Sequence, residues 1–171
     1  MIAAQLPPMS ASACDASTTH KPMQVVLDTN VVLDWLLFAD TQVQPIVAAI
    51  EARRVRVVTQ ALLVSELERV LEYPTLKLAA DTRRAIIKRY RMFTDMAAAP
   101  SDFARDRLFM PKGMPHCRDR DDDIFIAVAF HSHADALVTK DKQLLKVRKA
   151  AGKFGVRIVD LSQATSLLEQ P

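Results

Sequence analysis

Met23-Gln24-Val25-Val26-Leu27 runs into Asp28, and Ala136-Leu137-Val138-Thr139-Lys140 runs into Asp141. Both are short apolar, β-like stretches that stop on a carboxylate. Strands buried in a parallel sheet read as Val/Ile/Leu runs, and open α/β sheets place their chemistry at the carboxyl ends of such strands. Two strand-end aspartates far apart in the chain can therefore meet in one crevice. Between them, Asp119-Arg120-Asp121-Asp122-Asp123 opens an apolar helix, and Glu66 lies within another helical segment. Converging carboxylates with no cysteine or histidine cluster suit a hard, oxygen-preferring cation, Mg²⁺ or Mn²⁺. The chemistry this implies is metal-assisted and directed at phosphate.

The rest of the chain alternates in the same way. After the strand at 23–28, Val31-Val32-Leu33 and Trp35-Leu36-Leu37-Phe38 read as a helix or helical turn leaving the strand end. A helix with Pro45 in its first turn runs to Ala52, and Arg54 to Thr59 alternates into a short strand. Ala61 to Tyr73 is helical, with an apolar stripe at 63, 64, 67, 70 and 71, and Pro74 stops it. Asp81 is expected to cap a helix from Thr82 to about Ala99, whose apolar positions lie opposite its basic ones. A connection from Pro100 to Arg118 leads to a helix from Asp121 to His133. Then come a strand at 136–139, a helix at 142–151, a strand at 156–159 and a helix at 162–168. This alternation predicts a three-layer α/β/α sandwich around a central, mainly parallel sheet.

Composition narrows the functional classes. The chain has 171 residues, half of them apolar, which suits one domain with a sizeable core. Only 3 glycines are present, and neither GxGxxG nor GxxxxGK[ST] occurs, which disfavours those two kinds of nucleotide site. Cys14 and Cys117 make no disulfide framework and lack zinc-ligand spacing, so a reducing cytoplasm is expected. No apolar run reaches transmembrane length, and no membrane partner is expected. Residues 1–21 read as a disordered leader without periodicity, leaving 22–171 as a single domain.

The formal net charge is only +3, but it is unevenly distributed. Arg83, Arg84, Lys88, Arg89 and Arg91 share one segment; Lys140, Lys142, Lys146, Arg148, Lys149 and Lys153 form a second basic cluster. An acidic hole rimmed by basic surface would let metal sit inside while the rim holds a polyanion.

Each acid also has a plain structural role to weigh. Asp28, followed by Thr29 and Asn30, could simply cap a helix, yet its place at a strand end favours a ligand oriented by those two neighbours. Asp141 precedes Lys142-Gln143-Leu144-Leu145 and repeats the choice. If the following helix buries Ile126, Ala127 and Phe130, Asp123 lies above the same face at a helix start, where an anion is favoured. Asp121 and Asp122 would then point elsewhere or support the ligand from behind. Glu66 is on the same side as the apolar stripe, and Glu68 points away. His131 and His133 lack the i,i+4 spacing of a helical metal pair, and Cys117 beside His116 makes an unconvincing nucleophile.

Taken together, Val25-Val26-Leu27-Asp28-Thr29-Asn30-Val31, then Glu66, then Asp121-Asp122-Asp123-Ile124-Phe125-Ile126-Ala127-Val128-Ala129, then Leu137-Val138-Thr139-Lys140-Asp141 resemble PIN domains in the right order. The prokaryotic VapC toxins of toxin–antitoxin systems look most similar. The resemblance spans about residues 23 to 168. It implies an α/β/α fold and a Mg²⁺- or Mn²⁺-dependent ribonuclease, often homodimeric and inhibited by an antitoxin encoded beside it. By position, Asp28 and Asp123 match the principal metal ligands, and Glu66 and Asp141 match the other two acids. Thr29 and Asn30 match the pair that completes the opening motif, Thr139 matches the hydroxyl residue two before the last acid, and Asp121 is placed in support. One departure is that Ile126-Ala127-Val128-Ala129 replaces the double alanine of many VapC toxins.

Two rivals remain in view. One is a non-catalytic RNA- or protein-binding domain of the same fold. The other is a phosphotransfer receiver-like domain, which needs paired acids after its first strand; Asp34 is too far from Asp28 to provide them.

Overall fold

The computed structural model of the chain describes residues 21–97 and 110–169. The expected leader (Lys21 apart), Cys14 and positions 98–109 of the long connection lie outside the described residues.

Five parallel strands form one sheet in the order β3-β2-β1-β4-β5. They are β1 (Met23–Leu27), β2 (Val55–Thr59), β3 (Thr94–Met96), β4 (Ala136–Val138) and β5 (Ile158–Val159). Among the described residues, seven α-helices connect or flank them. They are α1 (Thr29–Leu33), α2 (Gln44–Glu51), α3 (Ala61–Leu71), α4 (Ala80–Met92), α5 (Asp123–His131), α6 (Lys142–Gly152) and α7 (Leu161–Leu168). The expected α/β/α sandwich is therefore what the chain adopts, and its described strands are parallel throughout.

Period-two alternation along β1 separates the layers. Val25 and Leu27 belong to one apolar cluster with Val31, Val57, Leu67 and Ala164, while Val26 belongs to a second with Ile126, Leu137, Leu144 and Ile158. Because β1 is covered on both faces, Val25, Val26 and Leu27 are almost wholly buried. That explains why its sequence reads as a continuous apolar run.

Three local features differ from the expectations. The helix expected to reach about Ala99 ends at Met92, and Thr94–Met96 becomes an edge strand, with Val57 opposite Thr94 and Arg56 ion-paired to Asp95. Pairing with β2 satisfies backbone groups that a longer α4 would have left at the sheet edge. α4 starts at Ala80 with Ala79 in the N-cap position, so Asp81 lies in the first turn and pairs with Arg84 instead of capping. The helix after β1 widens into a π-helical turn over Asp34–Phe38 that buries Trp35 edge-on against Phe93, with ring centroids 5.6 Å apart.

At the end of the chain, Asp160 and Gln163 form a reciprocal capping box that starts α7. No single helix among the described residues is long and apolar enough to cross a membrane.

The central position of β1 determines where a site can form. The chain leaves β1 to build β2 on one side and later returns to place β4 on the other. The strand order therefore reverses at the carboxyl ends of β1 and β4, where open α/β sheets carry a crevice. Leu27 lies opposite Val138, and the Asp28 N–H donates to the Val138 carbonyl at 3.0 Å.

Leu137, fully buried between β1 and β5, should be costly to truncate. Leu137→Ala is expected to lose about 2–5 kcal/mol in urea unfolding. Phe38→Ala, at a side chain left 57% exposed, should stay within about 0.5 kcal/mol of wild type.

Candidate active site

Asp28 follows β1 and caps α1, so the capping role weighed in the sequence is the one its hydrogen bonds show. Its Oδ1 accepts from the N–H groups of Asn30 at 2.5 Å and Val31 at 3.4 Å. Its Oδ2 accepts from the Thr139 hydroxyl and from the Lys140 N–H at 3.3 Å. The residue is only 2% exposed. Burial pushes its carboxyl above the ordinary range, and the Thr139 hydroxyl and three backbone N–H groups oppose that shift. Such a carboxylate is firmly oriented.

Thr139 links the two strand ends. Its hydroxyl donates to Asp28 and accepts from the Asp141 N–H at 2.8 Å. Asp141 in turn caps α6 by accepting from the Gln143 N–H at 2.5 Å. Lys140 turns away from this pair, with its Nζ on Asp34 at 2.7 Å and Asp40 at 3.4 Å. Asn30 contributes its backbone N–H to Asp28, and Thr29 begins α1 beside it.

The acidic run divides between two environments. A 3₁₀ turn at Arg120–Asp122, capped by Asp119 on the Asp121 N–H, leads into α5. Asp122 makes no capping hydrogen bond. Its carboxyl is pushed up to about 6 by burial first, and then by the charges of Asp141, Asp119, Asp28 and Asp121. Of the two expectations for Asp122, pointing elsewhere or supporting the ligand from behind, its place in the field of Asp28 and Asp141 agrees better with the second.

Asp123, 9% exposed, faces another set of partners. Its Oδ1 accepts from the Cys117 N–H at 2.7 Å; its Oδ2 meets His116 Nδ1 at 2.6 Å and Arg120 at 3.3 Å. Asp123 lines a cavity of about 740 Å³ together with Glu66, Asp121, His116 and Arg120. Glu66 is held there by Arg69 through two contacts of 2.7 and 2.9 Å, and a further Arg69 nitrogen donates to the Tyr73 hydroxyl at 2.6 Å.

The sheet edge thus assembles two neighbouring carboxylate groups. Asp28, Asp122 and Asp141 interact electrostatically, while Glu66, Asp121 and Asp123 share the cavity. Among the described residues, no three His, Cys, Asp or Glu side chains come close enough together to hold a metal ion. The donors are nonetheless all oxygens, and burial followed by the like charges of Asp141, Asp119 and Asp28 raises Asp122, which is an environment suited to a hard divalent cation. Glu66 and Asp123 are instead ion-paired with Arg69 and Arg120, and His116 contacts Asp123 through Nδ1.

These three basic partners were not legible in the sequence. His116 lies in an irregular stretch, and Arg69 stands on an exposed face of α3 where a basic residue is ordinary. Cys117 contributes its backbone, since burial and then the neighbouring Asp123 push its thiol up to about 12 and leave it unreactive.

Asp122 makes stability pH-dependent in a definite direction. Its carboxyl moves from 3.8 to about 6 on folding, so between those values the folded chain binds a proton that the unfolded chain has lost. Stability must then fall as pH rises through that window. In EDTA, Asp122→Asn should melt higher than wild type at about pH 7, with the gap closing toward about pH 4. Asp123→Asn, which puts an amide against the Cys117 N–H and the Arg120 guanidinium, should melt lower than wild type at both pH values. Melts of the three proteins check both statements.

Known proteins give the same picture. The family model described as PIN domain matches residues 24–143, which include every acid of the candidate site. The solved structure titled "Crystal structure of PAE2754 from Pyrobaculum aerophilum" is similar in fold. Its TM-score is 0.53 at 17% identity, over 86% of this chain and 90% of that one. No curated protein matches. PIN domains are typically nucleases and generally use divalent metals. With the parallel sheet in place and its acids gathered at the carboxyl edge, the chain belongs to the PIN domain family.

Proposed function

We propose that this protein is a Mg²⁺- or Mn²⁺-dependent endoribonuclease and the toxin of a toxin–antitoxin pair, similar to VapC toxins. The observation that carries the nuclease part is the electrostatic coupling of Asp122 to Asp28 and Asp141 at the strand-order reversal. Asp28, Glu66, Asp123 and Asp141 would hold the metal, with Asp122 added to that set. A divalent ion bound there supplies an activated water and stabilises charge on the phosphoryl oxygens.

The protein's own residues prepare that centre. Thr139 and the Asn30 and Lys140 N–H groups fix the rotamer of Asp28, so its carboxylate needs little reorganisation. The Thr139 hydroxyl also positions the start of α6 and, through it, Asp141. Arg69 and Arg120, now on Glu66 and Asp123, are cations that a phosphodiester can claim when the carboxylates turn to metal.

RNA would be the substrate, and an antitoxin encoded beside the gene the controlling partner. It would offer an Arg or Lys to the carboxylates and an amphipathic helix to an apolar groove. A homodimer acting in the cytoplasm completes the proposal.

Purified protein should cleave RNA with Mg²⁺ or Mn²⁺ and lose that activity in EDTA. Glu66→Gln is the cleanest test, because it removes a partly exposed ion pair worth at most about 1 kcal/mol. It should abolish cleavage while the urea midpoint barely moves. Undiminished cleavage in EDTA, or by Glu66→Gln, would reject the metal mechanism. Expression of the wild type alone should arrest growth, and co-expression of the adjacent gene product should restore it. Unimpaired growth on expressing the wild type alone would argue against a toxin while leaving the nuclease standing.

Metal should also stabilise the fold, by about 2.7 kcal/mol at a hundredfold excess over its dissociation constant. The Mn²⁺-induced shift in melting temperature should shrink in both Asp123→Asn and Asp122→Asn. A full shift in either one removes that residue from the ligand set.

A further inference from the structure

We infer that the exposed face of α6 is a phosphate track that holds a single RNA strand and leads it to the acidic centre. The inference rests on the ribonuclease reading above and specifies where its substrate lies.

Lys142, Lys146, Lys149 and Lys153 follow one another at spacings of four, three and four residues. At 3.6 residues per turn they fall within an arc of about 60° on one side of the helix. Lys153, the C-cap, keeps helical backbone angles, so the stripe continues to the end of the helix. All four are exposed, while Leu144 and Ala151 point the opposite way into the core.

What separates this stripe from an ordinary solvated face is its lack of counter-charge. Positions 142–159 contain no Asp or Glu. None of the four lysines forms an ion pair among the described residues; Lys146 only reaches the Gln143 amide oxygen at 3.3 Å. The arginines of α4 offer the contrast, since Arg83, Arg84 and Arg91 pair with Glu72, Asp81 and Glu68. An uncompensated row of like charges repels itself and is relieved by a polyanion.

The stripe also has a direction. Its first lysine directly follows Asp141, whose N–H is held by the same Thr139 hydroxyl that orients Asp28. A backbone lying on Lys142 and Lys146 therefore arrives beside the carboxylates. Lys140 is outside the track, because Asp34 and Asp40 already hold its ammonium. Evenly repeated point charges without base-reading groups suit one flexible strand of any sequence.

The test measures binding separately from cleavage. A fluorescein-labelled oligouridylate is titrated with full-length protein in EDTA at several KCl concentrations. The probes are wild type, the variant Lys142→Gln/Lys146→Gln/Lys149→Gln/Lys153→Gln, and a control carrying Arg83→Gln/Arg84→Gln/Lys88→Gln/Arg89→Gln on α4. Glutamine preserves helix propensity, and unchanged melting confirms the fold. Loss of four phosphate contacts should flatten the slope of log affinity against log salt by about three units and weaken binding at least about tenfold. The α4 control should retain most of the wild-type slope.

Equal slopes for wild type and the α6 variant overturn the track, as does transfer of the slope loss to the α4 control. Cleavage with Mn²⁺ that persists beside α6-independent binding rejects the track alone. Binding that depends on α6 without cleavage by wild type supports the track and rejects the nuclease. Selective binding of phosphatidylserine vesicles, with the oligouridylate left free, assigns the stripe to a membrane and overturns the inference.

Discussion

The buried carboxylate of Asp28 is the constraint around which the rest of this molecule is arranged. Alone in an apolar interior a carboxylate would be expensive, and here four donors from two distant places in the chain meet it: the Asn30 and Val31 N–H groups from α1, and the Thr139 hydroxyl and Lys140 N–H just after β4. Those donors also tie β1 to β4 at the point where strand order reverses. Removing the charge would therefore disturb a helix cap, a strand junction and a functional group together. Fold and site depend on the same atoms.

Around that anchor the acids differ by what neutralises them. Asp28 is stabilised by N–H and O–H dipoles, Glu66 and Asp123 by the arginines beside them, and Asp122 by neither, so that burial and then the neighbouring carboxylates push its carboxyl up to about 6. These differences divide the labour. The dipole-held acid is held in one orientation; under the proposed function the cation-held acids would exchange partners for metal and phosphate, and a cation would relieve the repulsion at the uncompensated one. The basic surface follows a similar rule, with three α4 arginines paired to Asp81 and to Glu68 and Glu72 of the α3 segment, and α6 left open.

Particular residues show how much of this could be read in advance. Val25, Val26 and Leu27 declare a doubly covered strand through an unbroken apolar run, and Asp28, Asp123 and Asp141 follow from standing at strand ends or at a helix start. The short edge strand at Thr94–Met96 was hidden because three residues carry too little pattern. Only the presence of β2 beside them makes pairing better than one more helical turn. The widening of the helix at Asp34–Phe38 escaped notice for a related reason, since it serves the packing of Trp35 on Phe93, a contact between distant segments.

Local sequence by itself determined the alternation of strands and helices, the parallel layering and the set of acids in their order. Those properties arise from periodicity and from side-chain chemistry, which act over a few neighbouring residues. Only the tertiary structure decided how the acids divide. It placed Asp122 in the field of Asp28 and Asp141, and it put Asp123 against His116 and Arg120. Three successive aspartates are chemically identical. Which of them sees another carboxylate and which sees a cation depends on the turn at Arg120–Asp122 and on the groups that distant strands bring near it.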